Sequence, residues 1–224
     1  MRQMSNIDIK GYIVSNDDKD FYDFYGMTST YPKMVQDAIA NDEGEEITLN
    51  IASNGGDVFA ASEIYTMLKS CGKRIVANVQ GLAASAASVI SMAADTVRIS
   101  PTAHMMIHKA SSGLVGNSDD MEHQSVVLNS IDESIALAYE MKTGLKQTEL
   151  LDLMAKETWL NAKTAVDKGF ADEIMFFGND EEIMVTNSVH QMPSKTAINK
   201  FKNMIATPKT NALREQKLKI LLEK

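Results

Sequence analysis

At 224 residues, with 44% hydrophobic and 23% charged side chains, the chain has the composition of a soluble globular protein and enough length to bury one substantial core. No apolar run is long enough to span a bilayer, the start "MRQMSNIDIK" lacks the apolar segment of a signal peptide, and a single cysteine, Cys71, rules out an internal disulfide. The expectation is a cytoplasmic protein with Cys71 as a buried reduced thiol and no metal site. The net charge of −8 is uneven: residues 187–224 hold eight basic and two acidic side chains, which leaves −14 for residues 1–186. That contrast divides the chain into a main domain, 1–186, and a basic helical C-terminal extension, 187–224. The extension has one aromatic residue, Phe201, and no nucleic-acid-binding motif, so nucleic acid is not an expected partner.

In chain order, "IDIKGYI" (7–13) alternates in the period of a half-buried strand, and "YPKMVQDAIAND" reads as a helix with Pro32 in its first turn. "EEITLNIASNGGD" is a β-rich run stopping at paired glycines, and residues 58–70 return to helical periodicity. "RIVANVQG" is a second β-rich run, expected to end at Gly81, with the alanine-serine stretch "LAASAAS" opening a helix after it. "TVRISP" and "AHMMIHKA" continue the β pattern, and His104, Met106 and His108 share one face by the period-two rule. A long helix is expected over 119–142, a further one in "LKQTELLDLMAKE", and a last one in "NAKTAVDKGFADEIM", closed by Gly169 and followed by a short strand. Strand, turn and helix in alternation predict an α/β fold with a mainly parallel sheet, whose ligands bind where strands give way to helices.

Ser85, Ser88 and Ser91 lie at i+3 spacing. A serine in the first turn of a helix sits among unpaired N–H groups that favour negative charge, the condition for stabilising the oxyanion of acyl transfer. Ser85 is nearest the turn and is the candidate nucleophile. The competing reading makes all three serines packing residues that bond to carbonyls a turn earlier. "ASNGGD" shifts the balance, because its glycines lie at the end of a different strand and permit positive φ and unhindered N–H donors. The amides of Gly56 and Ala86 are therefore the candidate oxyanion hole. Of the four histidines, His123 falls on an exposed helix and His190 in the tail, whereas His108 ends a strand and can reach a neighbouring turn as the base.

"NIASNGGD", "GLAASAAS", "PTAHMMIHKASSG" and "ETWLNAKTAVDKGFADEI", in that order, resemble the ClpP-like serine peptidases, the proteolytic-subunit family of Clp proteases, and most of all the head-maturation proteases of phages and prophages. The resemblance covers roughly residues 45–176. It implies a crotonase-like βαβ spiral core with a long handle-type helix, nucleophile Ser85, base His108 and oxyanion donors Gly56 and Ala86. It also implies a substrate-binding backbone at Gly55, Gly113 and Gly116, with no cofactor. The implied partners are a polypeptide substrate, further copies of the chain in a ring, and phage scaffold or capsid protein.

Where the family has its catalytic aspartate this sequence has Glu157, two positions before Trp159; Asp152 and Asp172 are fallback orienters. No N-terminal helix and axial loop precede the first strand, so docking of an unfolding ATPase is not expected. Three rivals remain: a crotonase-type acyl-CoA enzyme, for which Asp57 is the one acid at a glycine turn; a Ser-Lys peptidase using Lys109; and a catalytically inactive ring component.

Overall fold

The computed structural model describes residues 5–176, which lie within a compact unit spanning residues 1–178. The basic extension expected from residue 187, with His190, lies outside the described residues.

Among the described residues eight strands form one sheet: β1 (Ser5–Ile13), β2 (Ser29–Thr30), β3 (Glu46–Gly56), β4 (Arg74–Ala84), β5 (Thr96–Ile99), β6 (His104–Ile107), β7 (Thr158–Asn161) and β8 (Glu173–Ile174). The main path runs β2-β1-β3-β4-β5-β8, and every pair is parallel except β6 with β7. The helices are α1 (Lys19–Phe24), α2 (Pro32–Ala40), α3 (Val58–Ser70), α4 (Ala86–Ser91), α5 (Ser118–Thr143), α6 (Gln147–Ala155) and α7 (Ala162–Asp167). This is the α/β fold with a mainly parallel sheet and one long helix that the sequence predicts.

Period-two alternation decides which side of the sheet is covered. Ile7, Ile9, Ile47, Leu49, Ile51, Ile75, Ala77, Val79, Val97 and Ile99 are buried in one core with Ala60, Ile64 and Leu68 of α3 and Ala87 and Ile90 of α4. The intervening positions give the other face a polar surface, where Asn50 Nδ2 donates to Asp8 Oδ1 at 3.2 Å and Arg98 Nε meets Glu173 Oε1 at 2.6 Å. Parallel sheets are usually apolar on both faces; this one alternates because, among the described residues, the helices pack against one face.

A fork in β4 creates the site. Val76 to Val79 pair with β5, and Leu82 to Ala84 pair with β6, which brings β6 in beside the end of β4. The expected stop at Gly81 is therefore corrected: the strand continues through the glycine to Ala84, because the small side chains of "LAA" pair with β6 as readily as they would form a helical turn. Three short elements, α1, β2 and β7, carry too few residues for a periodic signal. Cys71 differs from expectation in being half-buried rather than buried, with its thiol against the Leu68 carbonyl at 3.1 Å.

Candidate active site

Ser85 is the single residue between β4 and α4, and the turn is made by its own backbone, at φ 54° and ψ −125°. That conformation is costly for an L-residue and persists only where surroundings hold it. Here its N–H donates to the Met106 carbonyl of β6 at 2.8 Å, and its carbonyl accepts from Ser88 N–H at 2.9 Å and Ser88 Oγ at 2.6 Å. The hydroxyl is thereby turned out of the strand. Because Ala84 pairs with Met106, the chain ends of β4 and β6 emerge side by side, and His108, one residue past β6, reaches Ser85: Nε2 lies 2.7 Å from Oγ. With its proton on Nδ1, the ring accepts the serine hydroxyl proton through Nε2.

The end of β3 backs this pair. A Cβ at Gly55 would lie 2.6 Å from the Ala84 carbonyl oxygen, 2.7 Å from Ser85 Cβ and 2.9 Å from Ala86 N, and the residue has φ +91°. A Cβ at Gly56, φ +152°, would meet the Ile13 carbonyl oxygen of β1 at 2.0 Å. Both positions require glycine for close approach as well as for backbone freedom. Gly55, which the resemblance makes a substrate contact, gives its N–H to Ser53 Oγ at 3.0 Å and supports the Ser85 turn from behind. Gly56 does border the cleft, as does Ala86. Ala86 is the first residue of α4, where no carbonyl stands a turn earlier to take its N–H. With only six residues, α4 adds little dipole, so any anion stabilisation comes from individual amides.

Ser85 and His108 open onto a cleft of about 370 Å³. Its lining is polar at Ser111, Ser112 and Gln124 and apolar at Phe59, Val89, Leu128, Ile131 and Ile135, from α3, α4 and α5. Residues 108–117 cross beside it without regular hydrogen bonding, and 111–120 are exposed. The glycine-containing strand that the resemblance implies around Gly113 and Gly116 is thus unpaired within one chain: no neighbouring strand among the described residues supplies its partner.

Glu157 occupies a different environment. It lies between α6 and β7 with φ 49°, and since Thr158 pairs with Ile107 the register carries it alongside His108. Its side chain is exposed, and Oε1 accepts a long hydrogen bond from Trp159 Nε1 at 3.4 Å; among the described residues no bond joins it to His108. Of the fallback acids, Asp172 accepts from Val97 N–H at 2.6 Å and from Lys142 at 2.8 Å, tying α5 to the sheet, and Asp152 is exposed on α6.

The rivals fare unequally. Lys109 Nζ turns to Asp132 at 3.5 Å, while the Ser85 hydroxyl is engaged by His108. Asp57 caps α3 by accepting from Ala60 N–H at 2.7 Å, which accounts for the acid at that turn without an acyl-CoA reaction. Ser88 and Ser91 bond to carbonyls three residues earlier, so the packing reading holds for them and fails for Ser85. Sequence reasoning missed two residues behind the site, Asp132 and Tyr139. The available signal was a carboxylate inside the apolar stripe Leu128, Ile131, Ile135, Ala136.

A parallel α/β scaffold that turns a serine hydroxyl onto a histidine at the mouth of an extended cleft defines a serine-nucleophile hydrolase. The particular family follows from comparison. The Clp protease family model matches residues 32–177, and the chain belongs to that family as a ClpP-like member. The ATP-dependent Clp protease proteolytic subunit of Deinococcus radiodurans is 29% identical over 133 residues, covering 58% of this chain and 65% of the relative. Proteolytic subunit 1 of Chlamydia abortus is 31% identical over 141 residues, covering 61% and 73%. The chain thus spans roughly two thirds of the length of the curated relatives it matches. In fold it is similar to a point mutant of ClpP1 from Listeria monocytogenes, with a TM-score of 0.62 over 76% of this chain and 90% of that one at 22% identity.

Proposed function

We propose that this chain is a serine endopeptidase of the ClpP type that works without obligatory coupling to an ATPase. The observation that carries the reading is the 2.7 Å contact between Ser85 Oγ and His108 Nε2, facing a cleft bordered by Gly56 and Ala86. Ser85 Oγ attacks the peptide carbonyl as His108 takes its proton; the amides of Gly56 and Ala86 receive the oxyanion; His108 then protonates the leaving amine. Water repeats the sequence on the acyl-enzyme and returns the serine. Glu157 is the residue assigned to orient His108: the β6–β7 register, which carries it alongside His108, supports it, and the role requires its carboxylate to leave Trp159.

The unpaired backbone around Gly113 and Gly116 would bind substrate as an added strand. Met121, Val126, Leu137 and Met141 leave α5 with large exposed apolar side chains, which supports assembly with further copies in a ring. The motif order shared with phage and prophage head-maturation proteases makes scaffold or capsid protein the proposed substrate class.

A fluorophosphonate probe tests the chemistry. It should label the wild type and fail to label Ser85→Ala; labelling that persists in the variant would move the nucleophile elsewhere. Sedimentation tests the assembly: several subunits per particle are expected, and Val126→Asp with Met141→Asp should dissociate them, whereas a monomeric wild type would overturn the ring.

A further inference from the structure

Two buried polar side chains on α5 have no part in the chemistry just described. Asp132 is 3% exposed, and its carboxylate serves the chain leaving His108: Oδ1 accepts from Ala110 N–H at 2.7 Å and Oδ2 lies 3.5 Å from Lys109 Nζ. Burying a carboxylate is unfavourable unless its bonds are made, so this one is held in place by the very segment it restrains. Tyr139 is 1% exposed, its ring against Phe170 with centroids 5.4 Å apart, and its hydroxyl lies 2.8 Å from Ser88 Oγ. Ser88 has one hydroxyl proton and donates it to the Ser85 carbonyl at 2.6 Å, so Tyr139 is the donor to Ser88. A short chain of bonds therefore runs from α5 into the strained peptide of the nucleophile.

Asp132 and Tyr139 are seven residues apart, two helical turns along the same face. We propose that they are positioning residues: α5 acts as one rigid gauge that sets the Ser85–His108 spacing, with Asp132 fixing the histidine segment and Tyr139, through Ser88, fixing the serine backbone. A single helix holding both partners keeps their separation constant when either strand end moves, and a displacement near 1 Å at reacting atoms costs on the order of a hundredfold in rate. The inference rests on the peptidase reading of Ser85 and His108.

The rate at which a fluorophosphonate probe labels Ser85 in the full chain measures hydroxyl reactivity independently of any peptide substrate. Asp132→Ala is expected to slow labelling about 30-fold and Tyr139→Phe about tenfold, with circular dichroism unchanged. Asp132→Asn, which still accepts from Ala110 N–H, is expected to recover to within about threefold of the wild type, a rescue that loss of charge or of general packing would not give. Wild-type labelling rates in folded Asp132→Ala would overturn the proposal. If that variant does not fold, an unchanged rate in Tyr139→Phe, which keeps the ring and loses only the hydroxyl, overturns it as well. A wild type that is not labelled at all overturns the peptidase reading and this inference with it, whereas a labelled wild type with unaffected variants overturns this inference alone.

Discussion

The serine–histidine half of the site and the glutamate half are built in opposite ways. Ser85 is flanked by the buried Ala84 and Ala86, closed from behind by Gly55, and bonded through both its N–H and its carbonyl. Glu157 also has a positive φ, yet its side chain stands in solvent with one long bond to an indole. The first half is held by packing that leaves no alternative position. The second is exposed and bonded only to Trp159 among the described residues, so on the proposed mechanism Ser85 and His108 are already paired and Glu157 is the component that would have to adjust.

The largest effect should come from the fixed half. Ser85→Ala is expected to lower peptide hydrolysis by about 10⁴-fold or more with the fold intact, read as kcat on a fluorogenic peptide. Next comes the adjustable half: Glu157→Ala should lower kcat by about 10²-fold, and Glu157→Asp should retain more activity than alanine. An unchanged rate in Glu157→Ala would reduce the machinery to a Ser-His pair and end the comparison in favour of the packed half. Gly55→Ala should destabilise the protein by about 2 kcal/mol in a denaturant titration, since the residue sits at φ +91° and its Cβ would press on Ser85 and Ala84. A silent substitution would show that the nucleophile turn is looser than its contacts imply.

The smallest effect is on alkaline stability. Burial pushes the Tyr139 phenol well above its ordinary value. A group whose folded pKa is raised contributes stability fully below the unfolded pKa, about 10 for a phenol, and loses it as pH rises further. Wild-type stability should therefore fall relative to Tyr139→Phe above about pH 10, by up to about 1.4 kcal/mol per pH unit. Parallel curves would mean that the phenol ionises without leaving its pocket.

Much of the site is legible in the sequence because it is short-range. The strand ahead of Ser85, the paired glycines and the end-of-strand position of His108 are local patterns, and the fold brings Ser85 and His108 into contact. Gly81 misleads because small residues fit a strand and a helix start equally, and only pairing with β6 decides between them. The bond from Gly55 N–H to the Ser53 hydroxyl depends on how the end of β3 turns, which the glycine pair alone does not specify. Asp132 stands out locally only as a carboxylate within the apolar stripe of α5, and nothing in the sequence says that Ala110 N–H will face it.

By itself the sequence determined the alternation of strands and helices and the family, and it singled out Ser85, His108, Gly56 and Ala86 as candidates, because periodicity, glycine placement and motif order are properties of neighbouring residues. Only the tertiary structure decided that β4 forks to bring Ser85 and His108 within 2.7 Å, that Ser88 and Ser91 are packing residues, and that Glu157 faces Trp159. Those outcomes depend on which atoms meet across distant segments, and hydrogen bonds and close contacts select among positions that local sequence leaves equal.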